Sequence, residues 1–281
     1  MSETPEKLRM TPHRRSLHQD KSGELVLSYY PAGHVMDEHA HDVDQSSMIL
    51  AGALAEDTPS RTATPGASQV GFKAAGIRHA NRYGPSGALI LAFNARSQAG
   101  QGASWRWTPT PAANQIGALL AAFTGRAAPS PGEATDLIAL LSEPSEPARQ
   151  DPPVWLSQVR DAVLEDPDGA DPQALAEAVG VHRVHLSRAY SRHYQTPISL
   201  DRRRARMGLA VRALMETGAT PAQAAHEAGF ADQPHFARTL KHETGLTPRT
   251  LMRIFTQAGT PPEQVTPVQD RSATPTYRAA S

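Results

Sequence analysis

The sequence predicts a two-domain protein, in which an N-terminal all-β barrel followed by helices precedes an all-α C-terminal domain. Three observations predict this class. Short apolar or alternating runs extend from Glu24 to about Phe93 and are broken by glycine and proline. From residue 113 onward the apolar residues recur at helical spacing instead. A repeated helical unit then lies within residues 170–255.

Composition and charge limit the classes of function. The 281 residues suffice for two ordinary domains. Residues 1–169 carry 14 basic and 19 acidic residues, whereas residues 170–255 carry 12 and 7. Such a basic segment is typical of a module that binds a polyanion. The chain has no cysteine, which excludes disulfides and thiolate metal sites. No apolar run approaches the ~20 residues of a membrane span, and no signal peptide is visible, so we expect a cytoplasmic protein without a membrane partner.

Four runs in the N-terminal part are predicted strands. They are ELVLSYY, SSMILAG, SQVGFKA and ALILAFNA, and the breaks between them include PAGH, EDTPSRTATPG and YGPSG. Many short strands at this spacing predict a small antiparallel barrel or sandwich. Trp105 and Trp107 alternate on a possible last strand, and one of them is expected in the core.

The helical segments set the remaining boundaries. NQIGALLAAF and EATDLIALL predict two helices that form a dimer surface or simply cover the barrel. SEPSEPARQDPP is typical of a linker, and the last residues lack periodicity. The predicted division is 1–20 flexible, 21–110 β domain, 111–141 covering or dimerisation helices, 142–153 linker, 154–255 basic helical domain and 256–281 disordered tail.

The C-terminal domain contains the same helical unit twice. LAEAVGVHRVHLSRAY (175–190) and AAHEAGFADQPHFARTL (224–240) each have a helix, a glycine, an apolar residue, a cap and a second helix. Gly180 and Gly229 suit the left-handed turn that ends a helix. Asp232 is a favourable N-cap for the last helix. The pattern predicts two helix-turn-helix units.

A basic helix is predicted between the two units, over residues 197–218. Its helical part of about 17 residues would span roughly 26 Å. Such a rod can hold two recognition helices near one DNA turn apart, about 34 Å. The arginines at its start suit phosphate binding.

These stretches resemble a known family of regulators. LAEAVGVHRVHLSRAYSRHY and AHEAGFADQPHFARTLKHETGLTP resemble the C-terminal domain of AraC/XylS transcription regulators, over residues 152–255. The pattern GFADQ-x-HF-x-R followed by GLTP is that family's signature. Gln195 stands where the family often has Gly, and Pro234 where Ser is usual.

The resemblance implies that both recognition helices present side chains to DNA. Arg188 and Arg238 suit guanine O6 and N7, Gln233 suits adenine, and Val184 suits a thymine methyl. Basic residues at the helix ends and on the connecting helix suit phosphates. The expected DNA contacts are Arg183, Val184, Ser187, Arg188, Arg192, Arg202, Arg203, Gln233, Pro234, His235, Arg238 and Lys241.

A second resemblance lies in the N-terminal part. From Gly33 to Gly52 the spacing is G-x5-H-x-H-x3-Q-x6-G, which resembles the first motif of the cupin barrel with Gln in place of its Glu. GIRH (76–79) resembles the core of the second cupin motif. In cupins these positions converge on one metal ion. The resemblance therefore implies the ligands His39, His41, Gln45 and His79.

The residue spacing is compatible with such a site. His39 and His41 would face the same side of a strand, and a hairpin partner can bring His79 opposite. Three imidazoles favour one divalent transition metal, Zn, Fe, Ni or Cu, over Mg or Ca. Two alternatives stay open: the histidines form a solvated polar loop, or the barrel holds an organic effector and no metal.

Together these patterns predict a sequence-specific transcription regulator that is not an enzyme. A small molecule or metal in the barrel would control promoter DNA binding, with RNA polymerase and a second copy of the chain as partners. One alternative is a cupin metalloenzyme with an attached DNA-binding module. Another is a regulator whose barrel is purely structural.

Overall fold

The computed structural model describes residues 11–96, 104–110, 112–125, 131–142 and 152–256. An antiparallel sheet comes first and helices follow it, which confirms the predicted fold class. Residues 1–10, most of the predicted linker and nearly all of the predicted tail lie outside the described residues.

Strands of the N-terminal part form one antiparallel sheet in the order β1-β2-β7-β4-β6-β8. β3 pairs with β7 and β5 pairs with β4. The strands are β1 (His13–Gln19), β2 (Gly23–Tyr30), β3 (Val35–His39), β4 (Asp44–Asp57), β5 (Thr62–Ala63), β6 (Gln69–Lys73), β7 (His79–Ala95) and β8 (Trp105–Pro109).

Both faces of this sheet are buried, in different surroundings. Tyr29 of β2 and Leu91 of β7 belong to a core on the outer face, beneath helices. Their neighbours Tyr30 and Ile90 face inward and line a cavity. Because successive side chains point to opposite faces, one strand serves the helical cover and the cavity at once.

The first described residues differ from the prediction of a flexible segment over 1–20. Residues 13–19 form β1, which pairs with β2 and aligns Arg14 with Ser28. Leu17 packs against the outer core, and Arg14 forms an ion pair with Glu24. Pairing and apolar contact hold a segment whose polar sequence gives little sign of order.

The predicted break at YGPSG (83–87) lies inside β7. The strand continues because β4 and β7 shift register around it, between Gly52 and Leu54 among other places. Gly52 and Gly87 have φ of 80° and 64°, which glycine adopts without strain. The glycines therefore bend the strand instead of ending it.

Helices cover the outer face and build two helix-turn-helix units. The connecting helix α6 continues into a π-helical turn, Ala213–Thr217. In the described part of the chain, no helix is both long and apolar enough to cross a membrane. The helices are α1 (Ala113–Gly125), α2 (Pro131–Ser142), α3 (Val154–Glu165), α4 (Pro172–Ala178), α5 (Arg183–Tyr194), α6 (Ile198–Arg212), α7 (Pro221–Glu227), α8 (Gln233–Thr244) and α9 (Pro248–Thr256).

The turns of both helix-turn-helix units have the predicted local chemistry. Gly180 and Gly229 are left-handed, with φ of 69° and 70°. His182 caps α5 through a ring nitrogen, and Asp232 caps α8 by accepting from the His235 amide at 2.6 Å. The prediction of two helix-turn-helix units is confirmed, with α5 and α8 as their second helices.

Gln195 adopts the left-handed conformation that its family position usually assigns to glycine. Its φ is 56°, a conformation that costs a residue with a Cβ roughly 1–2 kcal/mol. Its Nε2 donates to the Arg192 carbonyl at 2.7 Å, which satisfies one of the last acceptors of α5. The Gln195 side chain thus caps α5, and the helix ends at Tyr194 although no glycine follows it.

Arginines at the start of α6 join the two units to each other. Arg203 and Arg204 donate to the buried Glu243 of α8 at 3.0 and 2.8 Å. Arg206 Nε lies 2.6 Å from Oδ1 of Asp168, a residue of the segment that joins α3 to α4. Burial alone would raise the pKa of Glu243, but the neighbouring guanidinium groups hold it below its ordinary value of 4.5.

We expect Glu243→Gln to lower the free energy of unfolding by about 1–3 kcal/mol at neutral pH, because hydrogen bonds to charged groups are lost. The depressed pKa adds stability above pH 4.5 that disappears as the pH falls through the folded value. The difference between parent and variant, measured by urea unfolding, should therefore shrink in acid. Glu227→Gln on the exposed side of α7 is the control and should change stability by less than about 0.5 kcal/mol. A difference that is constant down to pH 3 would contradict this role.

Candidate functional site

Three histidines meet at one end of the cavity. His39, the last residue of β3, pairs across the sheet with His79, the first residue of β7. His41 follows two residues after His39, and its ring centroid lies 5.0 Å from that of His39 and 5.1 Å from that of His79. One nitrogen from each ring lies within 4.8 Å of the others. The prediction that a partner strand brings His79 opposite His39 is confirmed, but this strand is not a hairpin neighbour, because β4 to β6 lie between β3 and β7 in the chain.

Backbone carbonyls set the proton positions on two of these rings. Nδ1 of His39 lies 2.7 Å from the Asp37 carbonyl, and Nδ1 of His79 lies 3.0 Å from the Ile77 carbonyl. A carbonyl only accepts, so each ring keeps its proton on Nδ1 and presents an unprotonated Nε2. Both Nε2 atoms are buried and have no hydrogen-bond partner among the described residues. This is the arrangement that metal-binding histidines require.

Burial keeps the His41 and His79 rings uncharged near neutral pH. Desolvation, followed by repulsion from Lys73, lowers the pKa of His41 to about 3. The same two effects lower the pKa of His79 to about 4. The neutral imidazole is the form that binds a metal ion.

Gln45 is the fourth predicted ligand, and its side chain is engaged elsewhere. It lines the same cavity, but its amide nitrogen donates to Asn94 Oδ1 at 2.8 Å. Its amide oxygen lies 3.5 Å from the Ser47 hydroxyl. The structure thus assembles three of the four predicted ligands and holds Gln45 in an amide pair.

A buried ion pair beside the histidines was missed by the sequence analysis. Glu56 has no exposed surface and lies 2.5 Å from Lys73 Nζ and 3.8 Å from His79 Nε2. Trp105 and Trp107 donate their indole N–H groups to Glu56 at 2.7 and 2.5 Å. Burial alone would raise the pKa of Glu56, but Lys73 and the two indoles hold it below its ordinary value. Both tryptophans are buried, whereas only one was expected in the core.

The cavity has a volume of about 440 Å³ and carries both ring faces and polar groups. Tyr30 and Tyr83 stack along one wall with ring centroids 4.4 Å apart. Asn81 Oδ1 is buried without a hydrogen-bond partner among the described residues. A small organic molecule with a hydrogen-bond donor would complement this surface.

Both recognition helices expose the faces predicted to meet DNA. α5 buries Leu186 and Tyr190, and α8 buries Phe236 and Leu240. Val184 keeps 45% of its surface exposed, which is unusual for a large apolar side chain in this protein. The predicted contacts that are exposed on these helices are Arg183, Val184, Ser187, Arg188, Arg192, Gln233, Pro234, His235, Arg238 and Lys241.

Arg202 and Arg203, the two predicted phosphate contacts on α6, have protein partners. Arg202 donates to the Pro167 carbonyl at 3.1 Å, and Arg203 donates to Glu243. Arg203 keeps 48% of its side chain exposed. Phosphate binding by these two stays a prediction, and the structure adds a joining role that helical spacing did not reveal.

We expect Glu56→Gln to lower the free energy of unfolding by about 3–5 kcal/mol, because it leaves the Lys73 ammonium buried without its counter-charge. The double variant Glu56→Gln, Lys73→Met should recover part of this loss. Urea unfolding followed by tryptophan fluorescence measures both. Glu38→Gln, which breaks an exposed pair with Arg78, is the control and should change stability by at most about 1 kcal/mol. A double variant less stable than the single one would contradict the assignment.

Part of the chain resembles a known family of domains. Residues 175–264 match a family model described as a helix-turn-helix domain, of AraC type. No curated protein matches the chain significantly. An AraC-type transcriptional regulator from Chromobacterium violaceum is 24% identical, with a TM-score of 0.35, and the match covers 37% of this chain and 95% of that one.

Two further structures resemble a larger and a smaller part of the chain. ToxT from Vibrio cholerae O395 is 12% identical, with a TM-score of 0.37, over 85% of this chain and all of that one. A cupin superfamily protein from Desulfitobacterium hafniense DCB-2 is 16% identical, with a TM-score of 0.29, over 31% of this chain and 79% of that one. The C-terminal part of this chain is thus similar to a helix-turn-helix domain family over residues 175–264.

Proposed function

We propose that this protein is a sequence-specific transcription regulator whose promoter affinity is set by a metal or small molecule in the barrel. The family match supports DNA-binding transcription regulation. The observation that carries the proposal is the pair of capped helix-turn-helix units with exposed α5 and α8 faces. The cavity in the N-terminal part, with its volume of about 440 Å³, supports a sensing role for the barrel.

A divalent transition metal, Zn, Fe, Ni or Cu, is the proposed ligand of the histidine cluster. The donor set fits, because His39 and His79 offer buried, unpaired Nε2 atoms and His41 adds a third imidazole. Lys73 already neutralises the Glu56 carboxylate, so the protein offers little negative charge to the ion. A bound dication would supply a positive anchor for an anionic effector.

A small organic effector is the second proposed ligand. A volume near 440 Å³ lies within the range of small-molecule sites. Ligand binding would favour one arrangement of the chain over another, and its differential affinity for the two arrangements would set promoter affinity.

RNA polymerase and a second copy of this chain are the proposed protein partners. A promoter-bound regulator changes transcription through the polymerase, and paired half-sites are read by dimers. α1 and α2 bury Ile116, Leu120 and Leu137 within the protein, which supports a covering role for that side. Dimer contact would therefore use the other side of these helices.

A cupin metalloenzyme with an attached DNA-binding module is the second candidate. It is favoured by three imidazoles that face a cavity large enough for a substrate. A turnover assay on metal-loaded protein separates the two. Turnover without any effect of metal on DNA affinity would favour the enzyme, and the reverse would favour the regulator.

We expect the purified chain to bind about one transition-metal ion, as measured by elemental analysis after reconstitution with Zn, Fe, Ni or Cu. His39→Ala and His79→Ala should each weaken binding by roughly tenfold or more, because each removes a ligand. His34→Ala is the control, since this ring lies outside the cluster, stacked on Tyr30 and tilted against Tyr83. No bound metal in the parent would leave an organic effector as the remaining ligand.

We expect Arg238→Ala to cost about 1–3 kcal/mol at one base pair of the site and to relax specificity there. Lys241→Ala should weaken binding about equally on all sequences and lower the salt dependence, because it contacts phosphate. Duplexes selected from a random pool by the full chain provide the probes for fluorescence anisotropy. Equal weakening by Arg238→Ala on every duplex would remove its assigned reading role.

A further inference from the structure

The buried cores do not divide at the predicted domain boundary. One continuous core joins the outer face of the sheet to α1, α2, most of α6 and the second helix-turn-helix unit. It contains Leu91 of β7, Met207 of α6 and Phe236 of α8, all completely buried. A second core holds α3, α4, α5 and Ile198 at the start of α6. The second unit therefore shares its core with the barrel, whereas the first unit has its own.

Backbones touch where the second unit meets the N-terminal part. A Cβ on Gly208 of α6 would lie 3.1 Å from the Gly52 nitrogen of β4. A Cβ on Gly117 of α1 would lie 3.2 Å from the nitrogen of Gly245, which ends α8. Glycines are needed at such crossings, and contacts this close leave no room for water or for sliding.

Hydrogen bonds also stabilise this interface at the π-helical turn that follows α6. Glu216 accepts from the buried Tyr29 hydroxyl at 2.7 Å and from the Ala32 amide at 2.8 Å. Arg212 donates to the Pro85 carbonyl of β7 at 2.9 Å and to Glu216. A carboxylate on the π-helical turn thus holds the strand that lines the cavity.

The first unit meets the barrel through α3, which lies against β7 and carries a polar contact. A Cβ on Gly66 would lie 3.1 Å from a guanidinium nitrogen of Arg160 in α3. The same guanidinium lies 4.4 Å from the Tyr194 ring centroid and 4.0 Å from Asp201. Asp201 accepts from the Tyr190 hydroxyl of α5 at 2.9 Å. Arg160 therefore connects the barrel surface to the recognition helix of the first unit.

We propose that the second helix-turn-helix unit is a fixed part of the sensor body, and that regulation moves the first unit relative to it. This inference rests on the proposed function, because it states how a barrel ligand would reach DNA. Tightly packed apolar cores resist deformation, whereas polar contacts can be exchanged for water. The mobile boundary is then the start of α6, where Arg202, Arg204 and Arg206 bridge the two cores.

The Arg160 contact also lies next to the cavity wall. The Leu54 amide donates to the Pro65 carbonyl, and Ala53 pairs with Gly66. Leu54 itself lines the cavity. A ligand that displaces this wall would therefore shift the loop against which Arg160 rests.

Hydrogen exchange on the full chain tests the division of the cores. Leu91→Ala, or the milder Val70→Ala, opens the barrel side of the shared core. We expect exchange in α7–α9 to accelerate by about tenfold or more together with β7, and exchange in α4–α5 to change much less. Val159→Ala in α3 is the matched variant in the other core and should accelerate α4–α5 while leaving α7–α9 unchanged.

Equal acceleration of both units by Leu91→Ala or Val70→Ala would overturn the inference. Faster hydrogen exchange in α7–α9 of the Val159→Ala variant would overturn it as well. These outcomes do not depend on metal, effector or DNA, so they separate the inference from the proposed function.

Spin-label distances test which unit moves. The chain has no cysteine, so Lys21→Cys on the barrel can be paired with Glu227→Cys in α7 or with Glu177→Cys in α4. All three positions are exposed. On addition of a selected duplex, the distance between the labels at positions 21 and 227 should shift by less than roughly 2 Å. The distance between positions 21 and 177 should shift more. A larger shift at Glu227, or no shift in either pair on bound DNA, would contradict movement of the first unit. Failure to bind any duplex would count against the proposed function instead.

Discussion

Burial of both faces of one antiparallel sheet is the constraint on which the rest of the structure depends. An antiparallel sheet commonly leaves one face to water. Here the outer face carries Leu27, Tyr29 and Leu91 and is covered by α1, α2 and the C-terminal helices. The inner face surrounds a cavity with histidines at one end. Helices of the DNA-binding region are therefore part of the barrel's own cover, and removing them would expose a large apolar surface.

The inner face places a buried ion pair beside neutral histidines, and its geometry depends on strand bulges. Along β4, Gln45 and Ser47 face the cavity, and strict alternation would keep odd-numbered residues inside. The register shift between Ile49 and Ala51 reverses this parity, because Leu50 and Ala51 both lie in the outer core. Leu54 and Glu56 therefore face inward. Without this shift Glu56 would lie on the outer face, away from Lys73 and both indoles. One extra residue in β4 thus determines where the buried negative charge lies.

Sequence reasoning succeeded where the signal is local and failed where it depends on register or on distant partners. Caps and left-handed glycines lie within a few residues of the helices they end, so Gly180, Gly229 and Asp232 could be identified from sequence alone. The spacing of His39 and His41 identified part of the cluster for the same reason, whereas His79 was predicted from the resemblance of GIRH to the second cupin motif. Glu56 could not be identified, because its direction depends on a bulge. Glu216 gave no signal either, since its partners in β2 and the turn after it lie more than 180 residues away along the chain.

The two faces of the sheet also determine how the cavity and the DNA-binding region can communicate. Tyr29 and Tyr30 are adjacent, yet Tyr29 donates to Glu216 on the connecting rod while Tyr30 stacks on Tyr83 in the cavity. The cavity and the contact between Tyr29 and Glu216 are thus separated by the thickness of one strand. A ligand that presses on Tyr30 acts on a strand whose other side is held by a carboxylate and an apolar core. Because the outer face of β2 is close-packed, a displacement of the strand would be passed on to the helices that cover it. It would then reach the arginine contacts at the start of α6, which are the easiest to rearrange.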